Sequence, residues 1–137
     1  MNVLFDSNVI IDAVTQRSLS NQGSRELYLR SASKEINGFL VSKQITDIAY
    51  VLRKYLDKNK VKDFVLFLCK AYTILPFNVD DIVNAANING RDFEDDILVY
   101  MAKANRLDVI TTNNTKDFNT ADVEVLKPDE LLLRLSD

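Results

Sequence analysis

Four short apolar runs, with stretches of helical periodicity between them, constrain this chain more than any other feature. They cover residues 3–5, 39–41, 73–75 and 109–111, and residues 123–126 form a fifth, edge-strand candidate. Runs that are apolar throughout and rich in β-branched or aromatic residues are strands buried on both faces. Between them, Ile45, Ile48, Ala49, Leu52 and Leu56 recur at helical spacing. So do Val61, Phe64, Val65 and Leu68, and then Phe93, Ile97, Tyr100, Met101 and Ala104. Shorter helices are predicted over 8–15, 24–33 and 80–88, the last with Asn78 as N-cap and Asp81 three residues on. A closing helix follows Pro128, over 129–135. Strands that alternate with helices predict an α/β three-layer sandwich, with a mainly parallel central sheet of about five strands flanked by helices. No repeat or Pro/Gly/Ser linker divides the chain, so residues 1–137 read as a single domain.

In such a fold, ligands bind in the crevice beyond the carboxyl ends of the strands, and the composition limits what can stand there. The chain has no His, which excludes a Ser-His-Asp triad and an imidazole zinc site. Its one Cys, Cys69, can form neither an internal disulfide nor a thiolate cluster. Gly23, Gly38 and Gly90 are too far apart to make a phosphate-cradling glycine loop. What remains in quantity is carboxylate. No apolar run approaches the ~20 residues of a membrane span, so the expected address is the cytoplasm, with no membrane partner.

Acids fall beside several strand ends. Asp6 directly follows the first strand, where an N-cap and a functional acid are equally apt. The segment from Arg91 to Asp96 places Asp92, Glu94, Asp95 and Asp96 at a helix start. The helix dipole favours acids there, but adjacent like charges oppose one another. Asp92, Asp95 and Asp96, at i, i+3 and i+4, are expected on one face. Asp117 closes a polar loop that leaves the strand ending at Thr111, where a turn role is the simplest reading. Asp47 interrupts an apolar stretch near the start of a predicted helix, with Ser42 as candidate N-cap; an exposed first-turn acid is the simplest account of it. Acids gathered from four segments would repel one another and call for a compensating cation. All-oxygen ligands suit Mg²⁺ or Mn²⁺.

In its motifs the sequence resembles the PIN domain family, and within it the small VapC-type ribonuclease toxins. The opening V-L-F-D-S-N-V-I-I-D resembles the first motif, with Asp6, Ser7 and Asn8 in place. V-S-K-Q-I-T-D-I-A-Y-V-L-R-K resembles the second, D-F-E-D-D-I-L-V-Y-M-A the third with Asp95 at its acidic position, and I-T-T-N-N-T-K-D-F the fourth with Thr112, Asn114 and Asp117. The chain departs from the family in three places. Asp47 stands where Glu is usual, Asn113 where Arg is frequent, and Asp96 where a small residue is common.

The resemblance implies a PIN-like sheet and a Mg²⁺- or Mn²⁺-dependent endoribonuclease acting on RNA phosphodiesters. It implies Asp6, Asp95 and Asp117 as metal ligands and Asp47 as ligand or general base. Asn8, Thr112 and Asn114 would orient the acids, with Asp92 and Asp96 as outer acids. As the toxin of a type II toxin–antitoxin pair, such a chain would have a cognate antitoxin that occludes the acidic pocket, and would form a homodimer. Two other readings stand beside it, an inactive PIN-like protein-interaction module and, less favoured, a receiver-type phosphorylation domain. The net charge of −3 does not oppose RNA: with the six candidate acids set aside, 17 basic and 14 acidic residues remain. Arg53, Lys54, Lys58, Lys60 and Lys62 are expected on one helix and its following turn, as a solvated face or as a track for an RNA backbone.

Overall fold

Each apolar run becomes a strand. The computed structural model describes residues 1–15, 22–118 and 122–136. In it β1 (Asn2–Phe5), β2 (Asn37–Val41), β3 (Thr73–Leu75), β4 (Val109–Thr111) and β5 (Glu124–Leu126) form one sheet in the order β3-β2-β1-β4-β5. All four pairings are parallel, so the sheet is parallel throughout rather than mainly so. Parallel neighbours need crossovers. Helices α1 (Ser7–Thr15) and α2 (Gln22–Ala32) join β1 to β2, α3 (Ser42–Leu52) and α4 (Lys58–Ala71) join β2 to β3, and α5 (Val79–Ala86) and α6 (Phe93–Ala104) join β3 to β4. A 3-10 turn (Thr115–Phe118) precedes β5, and α7 (Pro128–Leu135) follows it.

The strand pleat sorts the core into two layers. Val3, Phe5, Leu40 and Val109 point to one face, against Leu27 of α2, Ile48 and Leu52 of α3, Leu68 of α4 and Leu131 of α7. Leu4, Val41, Leu75 and Ile110 point to the other, against Ala85 of α5 and Ile97 and Met101 of α6. This is the period-2 alternation of a sheet covered on both sides. Asn78 caps α5 as expected: its side chain accepts the Asp81 N–H at 3.0 Å, and Asp81 accepts the Asn78 N–H at 3.0 Å.

Two local expectations are corrected. Leu56 is not part of α3, which ends at Leu52 with Arg53 as C-cap. Asp57 then caps a new helix by accepting the Lys60 N–H at 2.9 Å. The basic residues therefore do not share one helix. Arg53 and Lys54 lie in the elbow after α3, while Lys58, Lys60 and Lys62 lie on α4. Nor is Ser42 the cap of α3. Val41 holds that position, and its N–H is satisfied by Gln44 Oε1 at 2.7 Å. Asp47 thus falls in the second turn, not the first.

The chain runs from β1 outward to β2 and β3, then crosses over to β4 and β5. The reversal of strand order lies between β1 and β4, so the crevice forms beyond Phe5 and Thr111.

Candidate active site

Asp6 stands at that reversal. Its N–H donates to the Thr111 carbonyl at 2.9 Å, which extends the β1–β4 ladder by one step. Its Oδ2 accepts the Thr112 hydroxyl at 2.8 Å and an Asn8 amide N–H at 3.4 Å. Thr112 Oγ1 in turn accepts the Asn114 N–H at 3.1 Å, and Asn8 Oδ1 accepts the Asn113 N–H at 3.2 Å. The two readings of Asp6 are therefore compatible, because the Ser7 and Asn8 backbone N–H groups also bond its carboxylate while it faces the crevice. Burial pushes its carboxyl above the usual range, and Asp117 adds to the push. The bonds from Thr112, Asn8 and Ser7 act in the opposite direction. Asn8 and Thr112 sit where the sequence placed them. Asn114 contributes its backbone N–H, from an exposed position.

Asp95, in the first turn of α6, is strongly perturbed. Burial first, and then the charges of Asp6, Asp92, Asp117 and Asp96, push its carboxyl up to about 7. Asp6, Asp95 and Asp117 thus sense one another across the crevice, although they come from the end of β1, the start of α6 and the turn after β4. Asp117 lies in an adjoining groove with Asn113, Asn114, Thr115, Lys116 and Lys127.

The other acids of α6 diverge. Asp92 is the N-cap, accepting the Glu94 N–H at 2.9 Å. Asp96, only 8% exposed, turns away from the cleft toward Gly90. A Cβ on Gly90 would come within 1.8 Å of Asp96 Oδ1, so glycine is what lets the loop close over this carboxylate. The expectation that Asp92, Asp95 and Asp96 share one face fails because Asp92 precedes the helix, and residues 95 and 96 are a hundred degrees apart around it.

The opposite wall belongs to α3. Asp47 Oδ2 accepts from Lys43 Nζ at 2.6 Å, and Lys43 reaches Glu94 Oε1 at 3.5 Å. Burial lowers the Lys43 ammonium, but Asp47 and Glu94 more than offset this and leave it raised. Between the walls lies a cleft of about 320 Å³, bordered by Asp6, Lys43, Asp47, Tyr50, Glu94 and Asp95. Gln44, buried below it, donates to the Phe5 carbonyl at 2.8 Å and to Ser7 Oγ at 3.1 Å, and so ties the start of α3 to the end of β1. Lys43, Gln44, Tyr50 and Glu94 were not legible as site residues from sequence. Polar residues in the first turns of a helix normally read as solvated, and only the strand order turns them inward.

Asn113, which takes the place of an arginine, is itself tied down. Its Nδ2 donates to Asp12 Oδ2 at 2.8 Å and to Ser24 Oγ at 3.2 Å, binding the loop after β4 to α1 and α2. Arg53 stacks its guanidinium over the Tyr50 ring, 3.8 Å from the centroid.

The donor set suits a hard cation, since it is all oxygen and none of the influences on Asp95 among the described residues comes from a cation. As placed, no three carboxylates among the described residues close into one ligand cage. The site is matched to a divalent ion in charge and chemistry but is not pre-formed around one.

A family model described as PIN domain matches residues 2–116. The chain is 28% identical to Ribonuclease VapC1 of Aquifex aeolicus (strain VF5), over 96% of this chain and 94% of that protein. Its fold is similar to DNA-bound VapBC from Salmonella typhimurium, with TM-score 0.70 and 15% identity, covering 93% of this chain and 98% of that one. It is also similar to a toxin-antitoxin complex from Klebsiella pneumoniae, with TM-score 0.66 and 20% identity over 92% and 97% of the two chains.

Proposed function

The chain belongs to the PIN domain family, and from that premise we propose that it is a ribonuclease, the toxin of a toxin–antitoxin pair, whose activity depends on Mg²⁺ or Mn²⁺. The observation that carries the reading is the gathering of acids at the strand-order reversal, where burial first, and then the charges of Asp6, Asp92, Asp117 and Asp96, push Asp95 up to about 7. Three acids held together at such a cost are a poor structural device and a good cation site. The likeness to Ribonuclease VapC1 supports the reaction, and the fold shared with VapBC assemblies supports an antitoxin partner. The proposed address is the cytoplasm, and no helix among the described residues is long and apolar enough to cross a membrane.

Asp6, Asp95 and Asp117 would hold the ion. The chemistry that Mg²⁺ or Mn²⁺ supplies to such a site is neutralisation of charge on a phosphodiester and activation of water. The protein's own contribution is orientation. Thr112 and Asn8 fix the Asp6 carboxylate through hydrogen bonds, and Gln44 holds the floor of the cleft. Asp47 is the base or an additional ligand on the α3 wall, with one oxygen engaged by Lys43. Lys43, on the α3 wall, would supply a cation beside the scissile phosphate. Homodimer formation completes the proposal, with Val79, Ile82 and Val83 of α5 as exposed apolar contacts.

The receiver reading lacks its acid. β3 is an edge strand and ends at Leu75 before Pro76, with no carboxylate beyond it to accept a phosphoryl group. An inactive interaction module remains the competitor, and one assay separates it from the proposal. Cleavage of single-stranded RNA in Mn²⁺, lost on chelation and in Asp95→Asn, is the expected result. Wild-type cleavage that ignores both would overturn the assignment.

A further inference from the structure

Tyr50 lies at the lip of the acidic cleft, yet it is neither a packing residue nor an acid. It borders the cleft with Asp47 and Asp95 and is 58% exposed, so its ring is accessible beside the acids. Lys43, Asp47 and Tyr50 follow one stripe of α3, at i, i+4 and i+7, so the ring stands one turn beyond the Asp47 carboxylate. Arg53 covers one face of the ring at 3.8 Å, which stiffens it and places a positive charge next to it. Lys54, at the same elbow, and Lys58, on α4, follow Arg53 in the chain.

We propose that Tyr50, backed by Arg53, is a stacking platform for one unpaired RNA base next to the scissile phosphate. A base in a duplex is already stacked on both sides and cannot lie on a side chain, whereas a splayed base can. Aromatic stacking is indifferent to base identity, so the platform selects strand state rather than sequence. Arg53 and the following lysines hold the adjoining phosphates and add salt dependence. The proposal rests on the ribonuclease reading above but is read out separately from it.

The experiment measures Mn²⁺-dependent cleavage of an RNA oligonucleotide, single-stranded and annealed to its complement, with wild type, Tyr50→Ala, Tyr50→Leu, Tyr50→Phe and Arg53→Ala. In parallel, binding to the same oligonucleotide carrying 2-aminopurine is followed by its fluorescence in chelator. Tyr50→Ala and Tyr50→Leu are expected to raise KM for the single strand about ten-fold with kcat within two-fold of wild type, and to lose the fluorescence quenching that stacking produces. Tyr50→Phe should match wild type, because the ring and not the hydroxyl is used. Arg53→Ala should show a smaller KM rise and a weaker salt dependence. All variants should act equally poorly on the duplex. An unchanged KM and quenching in Tyr50→Ala and Tyr50→Leu would overturn the platform while leaving the ribonuclease intact, as would equal damage in Tyr50→Phe. If wild type quenches 2-aminopurine through Tyr50 but cleaves nothing, the ribonuclease reading fails and the platform stands.

Discussion

The two walls of the cleft handle negative charge in opposite ways. On the α3 wall Asp47 is neutralised locally, with Lys43 at 2.6 Å and Glu94 sharing the same ammonium at 3.5 Å. On the β1–α6 wall, burial and neighbouring acids, with Asp117 of the turn after β4 among them, raise Asp6 and drive Asp95 up to about 7, and no cation among the described residues offsets them. An acid with its own lysine gains little from an added ion, while a set of acids without one gains a great deal. On the proposed reading, the contrast would separate carboxylates that hold a cation from one that works beside it.

The most severe test of that contrast is Asp95→Asn. It should lower Mn²⁺-dependent RNA cleavage by at least about 100-fold, while circular dichroism shows a metal-free fold at pH 8 no less stable than wild type. Retained cleavage would erase the distinction between the walls. Asp47→Asn should cost less, on the order of ten-fold in rate, with Mn²⁺ affinity by calorimetry nearly unchanged. A collapse of Mn²⁺ binding in this variant would move Asp47 into the ligand set.

Thr112→Val probes the hydrogen bonding that stands in for a counter-charge at Asp6. Breaking the 2.8 Å bond and leaving the buried acceptor short should lower stability by about 1–3 kcal/mol in urea unfolding. A last test is in pH dependence. Burial and the neighbouring acids push the Asp95 carboxyl from its ordinary 3.8 up to about 7 in the fold. Between those values the native state holds the extra proton, so metal-free stability should fall as pH rises from about 4 to about 7. Asp95→Asn should flatten that descent, and Mn²⁺ should reverse it. A rise in stability over the same window would show that the repulsion is not felt.

The sequence was most informative where a single physical rule decided the outcome. Apolar runs such as Val109 to Thr111 can only be buried strands, and Asn78 with Asp81 can only usefully cap. It was least informative where two elements met. That Lys43 reaches across to Glu94, or that Gln44 bonds Phe5 and Ser7, depends on α3 starting beside the end of β1, which no local pattern encodes. Asp95 and Asp96 show the same limit at the scale of one residue. Both look alike in the string, but one faces three other acids and the other closes a loop on Gly90.

The bond between Asp6 and Thr112 joins residues 106 positions apart. Asp6 is made before β4, the strand that completes its surroundings. A chain truncated before β4 has the first acid without its Thr112 partner and without the Asp117 that follows, so the acidic crevice cannot be assembled from the first strand and helices alone.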